Sequence, residues 1–132
     1  MKKIVSVIMA VLMCMVCSVS AFAEARSVGS ETRTSTLTIS SATATCYSMY
    51  RDASGSTSKV VITQSLQKEG VFWTWSTCAG EWTKTTNGSS ASLSNKVYNL
   101  ESGTYRVKTV FTVTDVNGKT ETIPVYSAEK KV

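Results

Sequence analysis

Residues 104–127 read TYRVKTVFTVTDVNGKTETIPVYS, and this stretch decides the fold. Apolar and polar residues alternate on both sides of the turn sequence DVNGK, a pattern typical of two antiparallel strands joined in a hairpin. The turn can have two residues, or three residues with Gly118 in the left-handed conformation and a bulge. The three-residue turn sets Phe111 opposite Ile123, whereas the two-residue turn sets Phe111 against Pro124. The hydrophobic pattern therefore predicts the bulged turn.

The same register predicts which side chains of the first strand face the core. It pairs Asp115 with Lys119 and Thr109 with Val125, and it leaves Arg106 outside with Lys108. The predicted core residues of this strand are Tyr105, Val107, Phe111 and Val113.

Strand-like alternation of serine and threonine with apolar residues extends over most of the chain from Ser35 onward. No segment has apolar residues at helical spacing over ten or more positions, so we expect almost no helix. The strand candidates are residues 35–40, 42–50, 58–67, 71–77, 91–93 with 97–100, 104–115 and 119–127. About seven short strands predict an all-β domain, a single immunoglobulin-like antiparallel β-sandwich over residues 35–132.

A second hairpin is expected to turn at Glu69-Gly70, which would place Trp73 and Trp75 in the core. Phe72 then faces the other way, and Trp82 lies in a loop over residues 77–90. Phe72 and Trp82 are the candidate ligand contacts of this chain, because exposed aromatic rings can form a contact patch.

The N-terminus has the three parts of a secretory signal peptide. A positive start at Lys2-Lys3 is followed by an apolar stretch and by Ala21-Phe22-Ala23, which has small residues at the −3 and −1 positions of a cleavage site. The apolar stretch is short for a membrane span. We therefore expect cleavage of residues 1–23, or two residues further on after Ala25, then a flexible leader over residues 24–34. The protein is predicted to be secreted and extracellular, without a stable membrane anchor.

Removal of the signal peptide leaves two of the four cysteines, Cys46 and Cys78. Because thiols oxidise outside the cytoplasm, these two are predicted to form one disulfide. The Cys14–Cys17 pair, which resembles a redox or metal motif, is removed with the signal peptide.

The chemistry that the sequence lacks limits the possible functions. There is no histidine, which removes the commonest general base and metal ligand, and no calcium-binding loop motif is present. We expect no enzyme activity, no metal and no cofactor, although a paired-carboxylate glycosidase stays as a third alternative. Loss of Lys2 and Lys3 lowers the net charge from +5 to +3, which is too weak and dispersed to indicate nucleic-acid binding.

Four segments occur in an order that resembles small secreted proteins of Gram-positive bacteria whose function is unknown. They are residues 37–46 (LTISSATATC), 66–68 (LQK), 73–76 (WTWS) and 103–108 (GTYRVK). The resemblance implies a β-sandwich and an extracellular location, and it implies no catalytic or binding residues.

The sequence therefore predicts a non-enzymatic extracellular module that binds an unidentified protein or glycan. The alternative is a small secreted effector, bacteriocin-like or membrane-active, which the size, mild positive charge and threonine-rich strands would suit.

Overall fold

A computed structural model describes residues 31–132, so the predicted signal peptide and most of the predicted leader lie outside the described residues. The described chain forms eight strands. They are β1 (Glu31–Ser40), β2 (Thr43–Asp52), β3 (Thr57–Glu69), β4 (Trp75–Asn87), β5 (Ser90–Val97), β6 (Thr104–Asp115), β7 (Thr120–Tyr126) and β8 (Lys130–Lys131). Strand β1 begins at Glu31, inside the segment that was expected to be flexible, because residues 31–34 pair with the end of β2.

The strands form two antiparallel sheets, which confirms the predicted all-β class. One sheet has the order β1-β2-β5, and the other has the order β4-β3-β6-β7 with β8 paired to the start of β6. Between residues 31 and 132 the only helical element is a single 3₁₀ turn at Val71–Trp73. Strands β2 and β6 show the basis of this arrangement most clearly, since each buries every second side chain against the opposite sheet.

The C-terminal hairpin has the predicted register. Phe111 pairs with Ile123 and Thr109 pairs with Val125. The Asp115 amide donates to the Lys119 carbonyl over 2.9 Å. Gly118 has a φ of 84°, a left-handed conformation that glycine adopts without a steric penalty. The four predicted core residues of β6 are all buried.

The hairpin between β3 and β4 differs from its predicted register. Instead of a tight turn at Glu69-Gly70, a loop over residues 70–74 connects Glu69 to Trp75, which pair across the strands. The longer loop moves the tryptophans out of the core, so Trp73 is 82 % exposed. Residues 77–90, expected to be a loop, instead belong mostly to β4 and the start of β5.

Strand β4 contains two β-bulges that its sequence did not indicate. Gln64 pairs with Trp82 and Ser65 with Gly80, so one residue of β4 is extra at this point, and a second shift follows Leu66. Bulges bend and twist a strand. Because β4 lies at the edge of its sheet, the bulges also make it a poor template for pairing with another chain.

The core consists of two apolar clusters. The first contains Leu37, Ala44, Cys46, Leu66, Tyr105 and Val107. The second contains Tyr50, Val60, Ile62, Ala91, Phe111 and Val113. On each of the three central strands, one polar residue that is 0 % exposed lies between the two clusters: Ser48 on β2, Gln64 on β3 and Thr109 on β6.

These polar residues form a hydrogen-bonded layer across the sandwich. Gln64 Nε2 donates to Ser48 Oγ over 2.7 Å. The Ser48 and Thr109 hydroxyls are 2.7 Å apart, and the Thr109 and Ser35 hydroxyls are 2.9 Å apart. Asn95 Nδ2 donates to Gln64 Oε1 over 2.9 Å. The layer satisfies polar groups that would otherwise be costly to bury.

Candidate contact surface

Three consecutive large apolar side chains project from the loop between β3 and β4. Val71 is 74 % exposed, Phe72 is 85 % exposed and Trp73 is 82 % exposed. We call these three residues the apolar tip. Scattered apolar residues are normal on protein surfaces, so a contiguous exposed group at the end of a hairpin distinguishes this loop from the rest of the described surface.

The loop that carries the apolar tip is closed by its own hydrogen bonds. The Gly70 amide donates to the Thr74 carbonyl over 2.6 Å, and the Thr74 amide donates to the Val71 carbonyl over 3.3 Å. The Thr74 hydroxyl also donates to the Val71 carbonyl, over 2.8 Å. These bonds hold the three side chains in a defined arrangement at the end of the hairpin.

Phe72 and Trp73 both have left-handed backbone conformations, with φ values of 57° and 56°. Bulky residues are rare in this region, because the side chain approaches the following carbonyl oxygen. The strain is therefore concentrated in the two most exposed aromatic residues of the apolar tip. Such strain is common at functional sites, where the surrounding structure maintains it.

A stack of three side chains supports the hairpin below the tip. The Arg106 guanidinium lies 4.2 Å from the centre of the Trp75 ring and 4.2 Å from the centre of the Tyr126 ring. Arg106 Nε also donates to Gln67 Oε1 over 2.8 Å. The stack joins β4 to β6 and β7 on the outer face of the sheet, with a cation–π contact from the guanidinium to each ring. Trp75 is thus an outer-face residue and not the predicted core residue.

The two residues predicted as ligand contacts lie in different environments. Phe72 is fully accessible in the apolar tip, together with Val71 and Trp73, which the sequence reasoning did not select. Trp82 is half-buried on β4 and packs against the first core cluster. The structure therefore does not bring Phe72 and Trp82 into one patch.

Gly80 explains how Trp82 reaches this position. Gly80 has a φ of +102°, and a Cβ atom there would lie 2.7 Å from two atoms of the Trp82 ring. The backbone of the bulge thus passes directly against the ring, which turns Trp82 toward the core. A glycine two residues before a tryptophan, within an edge strand, is the one sequence signal that could have indicated this packing.

The predicted disulfide is absent from the structure, in which Cys46 and Cys78 are free thiols. Cys46 is fully buried on β2, whereas Cys78 is the extra residue of the second bulge of β4 and is exposed. The Cys78 thiol donates to the Leu66 carbonyl over 3.4 Å, so its hydrogen-bonding partner lies on the neighbouring strand. Burial, and secondarily the charge of a nearby Cys78 thiolate, raises the pKa of Cys46 to about 12.

Three carboxylates line one cleft at the end of the sandwich opposite the apolar tip. They are Glu31, Asp115 and Glu121, with Lys119 beside them. Asp115 Oδ1 accepts hydrogen bonds from the amides of Asn117 and Lys119, both over 2.9 Å. This is the hydrogen bonding of a turn. Glu31 forms an ion pair with Arg33.

No protein-family model, curated protein or solved structure matches this chain. Within residues 31–132, no group of three metal-ligating side chains is placed to hold an ion. The same part of the chain contains no helix of the length and hydrophobicity that a membrane crossing requires.

Proposed function

We propose that this protein is a secreted, non-enzymatic binding module that contacts its partner through the apolar tip. The observation that carries the proposal is the contiguous exposure of Val71, Phe72 and Trp73 on a loop that is closed by hydrogen bonds. A rigid hairpin that presents aromatic side chains loses little conformational entropy on binding.

The immunoglobulin-like character of the sandwich is part of this proposal. The strand orders β1-β2-β5 and β4-β3-β6-β7 correspond to the A-B-E and C′-C-F-G sheets of that architecture. Tyr105, near the start of β6, donates from its hydroxyl to the Glu101 carbonyl over 2.7 Å. This bond has the form of a tyrosine corner, in which a tyrosine near the start of strand F contacts the backbone a few residues upstream. Cys46 lies on β2, the counterpart of strand B, which carries a cysteine in antibody domains.

Secretion and the disulfide are proposed together, because the bridge requires an oxidising compartment. Cys46 and Cys78 lie in different sheets, so a bridge between them would join the two layers of the sandwich. In the chain-entropy model, closing this loop stabilises the fold by about 4 kcal/mol. Since the Cys46 thiol is buried and has a raised pKa, we expect the bond to form during folding.

Alkylation of the purified mature protein with iodoacetamide, followed by mass spectrometry, tests the disulfide. A bridged protein takes up no label until it is reduced and unfolded. A folded protein with free thiols is labelled at the exposed Cys78 and not at the buried Cys46, and this result would remove the disulfide from the proposal. The same mass spectra give the intact mass of the exported protein, which shows whether the signal peptide is cleaved after Ala23 or after Ala25.

The contact surface is tested with Phe72→Asn and Trp73→Asn, singly and together. Asparagine tolerates left-handed backbone better than phenylalanine or tryptophan, so we expect the variants to be as stable as the native protein or about 1 kcal/mol more stable. Val116→Asn is the matched control, because Val116 is an apolar residue, 64 % exposed, in the turn between β6 and β7 at the opposite end.

Binding is measured on intact bacterial cells, cell-wall fragments and a glycan array. We expect the native protein and the Val116 variant to bind alike, and the double tip variant to lose binding while its melting temperature stays the same or rises. Equal binding by the double tip variant and the native protein would refute the apolar tip as the contact surface.

A membrane-active effector is the second candidate function. The apolar composition of the tip favours it, since three exposed apolar side chains could disturb a bilayer. Calcein release from liposomes distinguishes the two functions, because a binding module releases no dye at concentrations at which it binds.

A further inference from the structure

The end of the sandwich that carries the apolar tip also carries other aromatic and basic residues. The loop between β5 and β6 lies at this end, because Glu101 in that loop accepts a hydrogen bond from Lys68 Nζ over 3.3 Å. Tyr98 of the same loop is 65 % exposed. The hydrogen bond to Glu101 raises the pKa of Lys68.

The C-terminal lysine pair is fixed at this end by strand pairing. Lys131 pairs with Thr104 and Lys130 pairs with Tyr105, which is itself the partner of Lys68 on β3. Both lysines of the pair are exposed. The preceding Glu129 offsets one of these two charges, and the ion pair of Lys68 with the exposed Glu101 adds no net charge.

The size and shape of the apolar tip do not suit a folded protein partner. A stable protein interface has about 20–30 residues on each side, whereas this surface has three residues on a convex loop. A glycan site requires polar groups that converge on the sugar beside the aromatic ring. The Thr74 hydroxyl, the one polar side chain between Gly70 and Trp75, already donates to the Val71 carbonyl.

A bilayer interface requires neither a large contact area nor fixed polar partners. Tryptophan and tyrosine favour the headgroup region because their rings are apolar with a polar edge, and lysine interacts with anionic headgroups. We infer that the apolar tip docks this protein on the surface of an anionic phospholipid bilayer. Phe72 and Trp73 enter the boundary between headgroups and acyl chains, and Lys130 and Lys131 face the phosphates. The inference rests on the proposed function and specifies the partner of the same surface.

Sedimentation with sucrose-loaded vesicles tests the inference. The vesicles are phosphatidylcholine alone, or phosphatidylcholine with phosphatidylglycerol in a 3:1 ratio. We expect the native protein and Val116→Asn to bind the mixed vesicles equally. We expect the Phe72→Asn, Trp73→Asn double variant to bind at least about tenfold more weakly, because it removes the apolar side chains that enter the bilayer.

The lysine pair is tested with Lys130→Gln and Lys131→Gln together. Each lysine near an anionic surface contributes about 1 kcal/mol, which corresponds to about a fivefold change in affinity. The double lysine variant should therefore lose about 25-fold in affinity for mixed vesicles and change little on phosphatidylcholine alone. Equal affinity of the native protein for both vesicles would refute the role of anionic lipid.

Fluorescence quenching by brominated lipids reports which tryptophan enters the bilayer. Trp73 should be quenched by bromines near the headgroups, and the quenching should disappear in Trp73→Asn, because Trp75 and Trp82 lie outside the contact. Quenching that persists in Trp73→Asn would contradict the proposed orientation.

The binding assays on cells and wall fragments separate failure of this inference from failure of the proposed function. If binding to cells depends on the apolar tip and the protein binds no vesicle, the lipid bilayer is refuted as the partner, while the apolar tip remains the contact surface. If neither cells nor vesicles bind through the tip, both proposals fail. Calcein release together with vesicle binding would refute surface docking and support the effector.

Discussion

The buried polar layer leads to a prediction about Thr109, which lies at its centre. Thr109 and Ser48 are both 0 % exposed. Because the single hydroxyl hydrogen of Ser35 is donated to the Val107 carbonyl, Thr109 donates to Ser35, and Ser48 donates to Thr109. The chain ends where the Ser35 hydroxyl donates to the Val107 carbonyl over 3.4 Å. Thr109→Val removes the central hydroxyl of this chain with almost no change in volume.

The expected cost follows from which groups lose their partners. Ser35 is half-exposed and can use water instead, whereas the Ser48 hydroxyl is left buried without an acceptor. An unsatisfied buried polar group costs about 1–3 kcal/mol, and the lost hydrogen bond adds about 1 kcal/mol. The added apolar methyl offsets part of this, so we expect the free energy of unfolding to fall by about 2 kcal/mol. That is a large share of the stability of a small domain, about 5–15 kcal/mol.

Urea denaturation measures this change. We expect the dependence of the unfolding free energy on urea concentration to stay the same and the urea concentration at the midpoint of unfolding to fall by about 1 M. Thr112→Val on the same strand is the matched control, since Thr112 faces outward and is half-exposed. The control should change stability by less than about 0.5 kcal/mol. In a double-mutant cycle, Ser48→Ala should lose less stability in the Thr109→Val background than in the native protein, because the unsatisfied hydroxyl is gone. Additive losses, or equal effects of the two threonine changes, would refute the reasoning.

Three further predictions concern the strands around this layer. Tyr105→Phe removes the hydrogen bond to the Glu101 carbonyl, so thermal unfolding should show a loss of about 1 kcal/mol, and an unchanged melting temperature would contradict the tyrosine corner. Gly80→Ala should destabilise by more than about 2 kcal/mol and change the fluorescence of Trp82, because the new Cβ meets the indole at a left-handed backbone position. Burial raises the pKa of Tyr50 to about 12, so the folded state keeps a proton that the unfolded state loses, and stability should fall as the pH rises from about 10 to about 12. Urea titrations across this pH range should show a smaller decline for Tyr50→Phe.

The fold class and the C-terminal hairpin could be predicted because their signals are local. In residues 104–127 the hydrophobic alternation, the glycine and the proline all favour one register, and a slip by one residue would expose Phe111. The buried positions of Cys46 and Ser48 follow in the same way from alternation along β2.

The register of the β3–β4 hairpin could not be predicted by the same reasoning. Residues 71–75 are all apolar or threonine, so hydrophobicity does not distinguish a strand from an exposed loop. The two bulges of β4 also reverse the alternation twice, at Cys78 and at Glu81, and only contacts with β3 determine where they occur. Hydrophobicity alone therefore predicts Trp73 and Trp75 in the core, although neither packs there.

The turns of this chain give the strongest reason to assign a contact role to the apolar tip. In the other turns between residues 31 and 132, left-handed positions are occupied by glycine, asparagine or small residues, including Gly118 and Asn99, and Glu81 has this conformation as the extra residue of a β-bulge. At the apolar tip the same conformation is adopted by phenylalanine and tryptophan, each at an estimated cost of about 1–2 kcal/mol. Neither side chain recovers this cost by burial, because both are more than four-fifths exposed. The isolated domain therefore loses stability by keeping them, and contact with a partner is the physical process that would bury these rings.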